Sequence, residues 1–273
     1  MSLYVNTNTS SINSQRQLAK STKALDSSYQ KLSNGFRINS AKDDAAGLQI
    51  SDRMTAQING LTQGNRNAND GISFAQTAEG ALDEVTNMLQ RMRTLAVQSV
   101  NGTNSSDERT ALNDEVTQLK DEIDRIGDQT KFGKNLAVFS ANTAFTLQVG
   151  AYSGNTISFQ TKEMSNVLGV SLTAIAVNSA GVADTSICKL DEMLKNVDSY
   201  RATLGAVQNR LESSISNQEN VIENVSDARS RIRDVDYASE TAKMTQQSIL
   251  QQASTSILSQ ANMKSQIALS LLG

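Results

Sequence analysis

Not one proline interrupts the 273 residues of this chain, and apolar residues recur along it at intervals of three and four. Proline breaks a helix interior because it removes an amide donor and clashes with the preceding turn. A chain without it can run in long helices, and the three-four interval stacks side chains along one helix face. The longest such row is Ala75, Ala78, Leu82, Val85, Leu89, Met92 and Ala96, with the alternation of a coiled-coil seam. These rows run longer than one globular core requires, and aromatic residues make up only 4% of the sequence. The stripes are therefore expected to bury against other helices, including helices of other copies.

The polar run Asn6–Ser11 can cap a first helix, on which Leu18, Leu25, Tyr29 and Leu32 follow a seven-residue repeat until Asn34-Gly35 ends it. Phe36 to Asp44 reads as a connector, with the Asp43-Asp44 pair near the positive end of a second helix over Ala45–Val100. Gly60, Gly64, Gly71 and Gly80 lie inside that helix. Each costs about 1 kcal/mol relative to alanine, so the helix needs packing, and the glycines let a neighbouring backbone come close. Ser106 is expected to cap a third helix carrying Leu112, Val116, Leu119, Ile123 and Ile126, closing near Gly127.

The period then changes to two. Phe145, Leu147 and Val149 alternate, residues 150–155 are turn-like, and Ile157 and Phe159 alternate again, which predicts a β-hairpin near 143–160. Another short strand is expected over Val170–Val177. Helical spacing returns at Leu190 and continues through Leu204, Leu211 and Ile215, and a last amphipathic helix runs from Asp236 to Leu271. The fold class is mainly α: a long helical bundle or coiled coil with a small β-hairpin region.

Chemistry is hard to place in this chain. Without histidine there is no imidazole base or metal ligand, and Cys188, expected as a small half-buried side chain, is the only cysteine. Neither a Walker loop nor a G-x-G-x-x-G element occurs. The acidic pairs Asp43-Asp44, Asp83-Glu84 and Asp114-Glu115 are adjacent in sequence, so their side chains point in different directions on a helix. No catalytic residue, metal or cofactor is expected.

Net charge is −3, yet residues 1–42 carry Arg16, Lys20, Lys23, Lys31, Arg37 and Lys42 against Asp26 alone. These cations are spread along a helical repeat without interleaved aromatics, which argues against nucleic-acid binding. No run of apolar residues is long enough to insert in a membrane. The start lacks the basic-then-apolar pattern of a cleaved signal, which leaves cytoplasmic residence and unconventional export both open. Between Met244 and Gln266 the only charge is Lys264, with Gln, Ser, Thr and Asn on the polar side. An uncharged polar face suits a helix held inside an assembly, where an unpaired charge is expensive; an ordinary polar helix is the alternative.

Several stretches resemble bacterial flagellin, the subunit of the flagellar filament: KLSNGFRINSAKDDAAGLQISDRM, NRNANDGISFAQTAEGALDEVTNMLQRMRTLAVQS, NDEVTQLKDEIDRIGDQTKFGKNL, FTLQVGAYSGNTISF, LGAVQNRLESSISN, SRIRDVDYASETAKMT and QANMKSQIALSLLG. The resemblance covers most of the chain. Only a short interval separates the hairpin region from the C-terminal helices, as in a short form lacking the variable outer domains. A hook–filament junction protein shares the terminal helices but would depart over 67–98 and 235–240, where this chain keeps the flagellin text.

The resemblance implies an inner coiled-coil domain from residues 1–46 and 234–273, and an outer helical-bundle domain over 47–233. It implies an inner assembly seam through Leu18, Leu25, Tyr29, Leu32, Ile249, Ile257, Leu258 and Leu271. The outer core would use Leu82, Val85, Leu89, Met92, Leu112, Val116, Leu119, Ile123, Leu204, Leu211 and Ile215. A homopolymeric extracellular filament follows, because a head-to-tail contact that repeats without closing makes a helical fibre. The implied partners are further copies, the flagellar export apparatus and a chaperone, the filament cap and hook-junction proteins. A host partner, Toll-like receptor 5, would read Arg91, Leu95 and Glu115.

Overall fold

A computed structural model describes residues 7–133, 136–139 and 142–270, with the side chains of Thr143 and 264–270 excepted. In chain order the elements are α1 (Thr9–Asn34), α2 (Ala45–Val100), α3 (Ser106–Gln129), β1 (Lys131–Phe132), β2 (Leu136–Ala137), β3 (Thr143–Gln148), β4 (Thr156–Thr161), α4 (Met164–Leu168), a 3-10 turn at Leu172–Ala174, α5 (Ala180–Arg233) and α6 (Tyr237–Ser270). The chain forms two compact units, residues 1–56 with 224–273, and residues 57–223. They part inside α2 and α5, ten residues from the junctions expected at 46/47 and 233/234.

In the unit containing both terminal helices, α1 begins where the Asn8 side chain accepts from the Ser11 amide, and it ends at Gly35, whose φ of 72° suits a residue without a Cβ. Asp44 caps α2 by accepting from the Gly47 amide at 2.9 Å. Asp43 instead fastens the connector: its carboxylate accepts from the Ser40 amide at 3.0 Å and the Asn39 amide at 3.2 Å. Those two backbone donors hold its pKa below the usual carboxylate range. The two connectors pair with each other, Arg37 N–H donating to the Arg233 carbonyl at 2.7 Å and Val235 N–H to the Gly35 carbonyl at 3.0 Å. The Arg233 guanidinium lies 4.5 Å from the Phe36 ring centroid.

In residues 57–223 the long row of α2 is the spine of the core. Ala75, Ala78, Leu82, Val85, Leu89, Met92 and Ala96 are each at most 1% exposed. Facing rows use the same stride: Val116 and Ile123 on α3, and Leu190, Met193, Val197, Tyr200, Leu204, Val207 and Leu211 on α5. Leu112, Leu119 and Ile215 are partly buried against this core. α3 starts at a capping box built on Ser105, one residue before the expected Ser106, because Ser105 can pair reciprocally with Glu108.

The β3–β4 hairpin pairs antiparallel with Phe145 opposite Phe159 and Leu147 opposite Ile157. It packs on the glycine-bearing stretch of α2. A Cβ on Gly64 would strike the Val149 carbonyl, one on Gly71 would strike Leu147, and one on Gly60 would lie 2.8 Å from the Ala151 Cβ. Gly80 differs, with open space around it. Phe74 stacks on Phe145 at 4.8 Å and meets Phe159 and Phe132 at 5.8 and 5.7 Å, so the scarce aromatics concentrate where strands cover the helix.

The expected strand over Val170–Val177 does not form; a 3-10 turn occupies Leu172–Ala174. Its backbone groups are taken by side chains of neighbouring helices. Ser99 donates to the Val177 carbonyl at 2.5 Å, Asn113 accepts from the Val177 amide at 3.0 Å, and Ser186 bonds both the amide and the carbonyl of Ala176. With those groups satisfied, the alternating Val and Ile side chains still bury but need no partner strand. Cys188 is exposed, not half-buried, because it falls outside the α5 row of Ser186, Leu190 and Met193.

Candidate assembly surfaces

α1 and α6 run antiparallel, tied by Asn8 to the Ala261 carbonyl at 2.8 Å, Ser11 to Asn262 at 2.9 Å, Gln251 to Thr22 at 3.3 Å and Ser28 to Glu240 at 2.7 Å. The residues α1 turns toward α6 are small and polar: Ser11, Ser14, Ser21 and Ser28 are buried there with Leu25. On α6 the same stride is Glu240, Met244, Gln247, Gln251, Ser254, Leu258 and Ala261, all buried or half-buried. Serine hydroxyls at Ser14 and Ser21 return their proton to carbonyls of the preceding turn, which lets them bury without a partner across the seam.

This arrangement splits the expected assembly seam in two. Leu25 is buried and Leu18, Leu32 and Leu258 are half-buried along the α1–α6 contact. Tyr29, Ile249 and Ile257 stand off it, 55%, 60% and 54% exposed. Ile12 and Met263 share that exposure at 49% and 51%; the sequence reading passed over both. Leu271 lies outside the described residues. Burying such side chains fully is worth about 1.5–3 kcal/mol each, and within the single chain about half of that gain is left untaken.

Among the described residues Glu240 is the one charged group buried in the seam, 6% exposed. The Ser28 hydroxyl that it accepts, with Lys243 beyond at 3.4 Å, holds its carboxyl below the usual range despite burial.

On the second unit, Arg91 and Glu115 form a surface ion pair at 2.7 Å between α2 and α3. Leu95 does not join them at the surface. It is 1% exposed, part of the core on the inward face of α2. Among the described residues no group of three or more His, Cys, Asp or Glu side chains is placed to hold a metal ion, and no helix is long and apolar enough to cross a membrane.

A family model for the bacterial flagellin N-terminal helical region matches residues 5–144, and one for the C-terminal helical region matches residues 187–272. The chain belongs to the bacterial flagellin family. It is 47% identical over 271 residues to a flagellin of Halalkalibacterium halodurans, covering 99% of this chain and 100% of that one. It is 38% identical to polar flagellin B/D of Vibrio parahaemolyticus over an alignment of 378 residues that covers both chains completely, so that relative is longer and this is a short form. Among solved structures, a Vibrio parahaemolyticus flagellar hook-associated protein superposes with a TM-score of 0.63 at 16% identity, covering 70% of this flagellin and all of that chain. That likeness concerns the fold alone. The crystal structure of Bacillus cereus flagellin is 32% identical, with a TM-score of 0.49 over 56% of this chain and 88% of its own. Flagellins are a structural family, and this one is a structural subunit of the extracellular flagellar filament.

Proposed function

We propose that this flagellin is exported unfolded through the flagellar apparatus with a chaperone's help and polymerises at the distal tip, between hook-junction proteins and the cap. The product is the helical propeller of swimming motility. One observation carries this reading: along the intrachain seam α1 buries four serines beside Leu25, while Ile12, Tyr29, Ile249 and Ile257 face outward. A helix pair joined mainly by small polar residues gains little on its own, and it gains most when neighbours cover its apolar residues. Order of the terminal helices is then coupled to polymerisation, which suits a chain that travels unfolded.

Helical reconstruction of sheared surface filaments tests the reading. This chain should be the main component, with the four outward side chains lying against neighbouring copies. Filaments made of another chain, or these side chains facing bulk solvent in the polymer, would overturn it.

Host recognition by Toll-like receptor 5 is proposed for the exposed Arg91–Glu115 pair of the monomer. A paired arginine and carboxylate at the surface can exchange partners with a receptor at small cost, since the pair itself is solvated.

A further inference from the structure

The loop between α2 and α3 holds an arrangement that the filament role does not use. We propose that Asn101–Gly102 is a covalent self-modification site, at which the folded chain converts its own asparagine to aspartate and isoaspartate. Three Asn-Gly pairs occur in the chain, at Asn34, Asn59 and Asn101. The chemistry requires the glycine amide nitrogen to swing onto the asparagine side-chain carbon. Gly60 sits inside α2, its amide committed to the helix and its backbone against Ala151. Asn34 ends α1 and its side-chain amide donates to Asn39 at 3.3 Å.

Asn101 is placed differently. It and Gly102 are exposed, in a turn beyond the last residue of α2, and a Cβ built on Gly102 meets nothing within 4 Å. The Gly102 N–H makes no hydrogen bond among the described residues. The carbonyl of the Asn101–Gly102 peptide bond accepts from Arg109 Nη2 at 2.9 Å and from the Asn104 amide at 3.3 Å. A cation on that oxygen draws electron density from the peptide and eases loss of the Gly102 proton. The side-chain oxygen of Asn101 accepts from the Thr103 amide at 3.4 Å. That oxygen takes up negative charge when Cγ is attacked, so the Thr103 N–H acts as an oxyanion donor.

The step balances without any redox partner. Hydroxide removes the Gly102 N–H proton, and the nitrogen attacks Asn101 Cγ. The N–Cγ bond forms, the Cγ–Nδ2 bond breaks, and ammonia leaves with a proton from water. Water then opens the cyclic imide at either carbonyl. One water enters and one ammonia departs. The product adds a negative charge in the loop that leads into the acidic first turn of α3, and the isoaspartate form lengthens the backbone inside the turn closed by Asn104 on Gln98 at 2.7 Å.

The test is peptide mass spectrometry of the full chain held in mildly alkaline buffer, with isoaspartyl labelling. Conversion at Asn101 should be several-fold faster than at Asn34 or Asn59, and several-fold faster in the folded chain than in the same chain in urea. Arg109→Gln should slow Asn101 and leave the other two sites unchanged. Equal or slower conversion at Asn101 in the folded chain, or at Asn101 relative to the other pairs, overturns the proposal. So does an Arg109→Gln chain, folded by circular dichroism, that converts Asn101 at the unaltered rate. If that variant does not fold, the urea comparison decides alone.

Discussion

Ser28 donates its hydroxyl proton to Glu240 across 2.7 Å, joining α1 to α6 through a carboxylate buried in their seam. Together with the Asn8–Ala261, Ser11–Asn262 and Thr22–Gln251 bonds, this pair fixes which turn of α6 faces which turn of α1. A buried polar group of this kind sets register more than it adds stability.

The Ser28–Glu240 bond makes the terminal helix pair sensitive to acid. Glu240 binds its proton less readily when folded than its ordinary value of 4.5, so the unfolded chain holds more protons in that range. The stability it contributes is complete above that value and is lost as pH falls through the lower folded pKa. Urea unfolding of the α1–α6 pair followed from neutral pH downward should show this loss, and Glu240→Gln should flatten it. A Glu240→Gln chain with unchanged acid sensitivity would show that the carboxylate is not responsible.

Two glycines on one helix should respond with opposite signs. Gly80→Ala places a methyl in open space on α2, gaining about 0.5–1 kcal/mol of helix propensity. Gly64→Ala drives its methyl into the Val149 carbonyl, at an overpacking cost of about 1–3 kcal/mol that outweighs the same gain. Thermal unfolding of the 57–223 unit within the full chain measures both. Equal shifts would mean that the hairpin does not press on the helix.

Leu95 and Arg91 should separate stability from recognition. Leu95→Ala opens a cavity in the core and should cost about 2–4 kcal/mol. Arg91→Ala removes a pair whose two side chains are 54% and 41% exposed, worth at most about 1 kcal/mol, and should weaken receptor-ectodomain binding without changing the melting transition. A stable Leu95→Ala chain would place that side chain at the surface after all.

The sequence shows the fold most clearly where burial is completed within the chain. The row from Ala75 to Ala96 is legible because every residue on it is buried in one core shared with residues of α3, α5 and the β3–β4 hairpin. In the terminal helices the same pattern points elsewhere. Their intrachain contact runs along serines that hydrophobic spacing cannot mark, and Tyr29, Ile249 and Ile257 mark a face the single chain leaves bare. Val170–Val177 has strand-like alternation, yet Ser99, Asn113 and Ser186, distant in sequence, satisfy its backbone. Two-residue strands such as β1 and β2 are too short to leave a periodic signal. Likeness to the family names Leu95 together with Arg91 and Glu115 but carries no information on which way a side chain turns, and Leu95 turns into the core.

The bare face of the terminal helices gives the most direct test of the account. Full-length chain carrying Ile249→Asp and Ile257→Asp, two side chains now 60% and 54% exposed, should fold as before. Measured by sedimentation onto filament seeds, its critical concentration for polymerisation should rise by at least about 100-fold, since two buried charges cost several kcal/mol at the interface. Polymerisation at the unaltered critical concentration would contradict it.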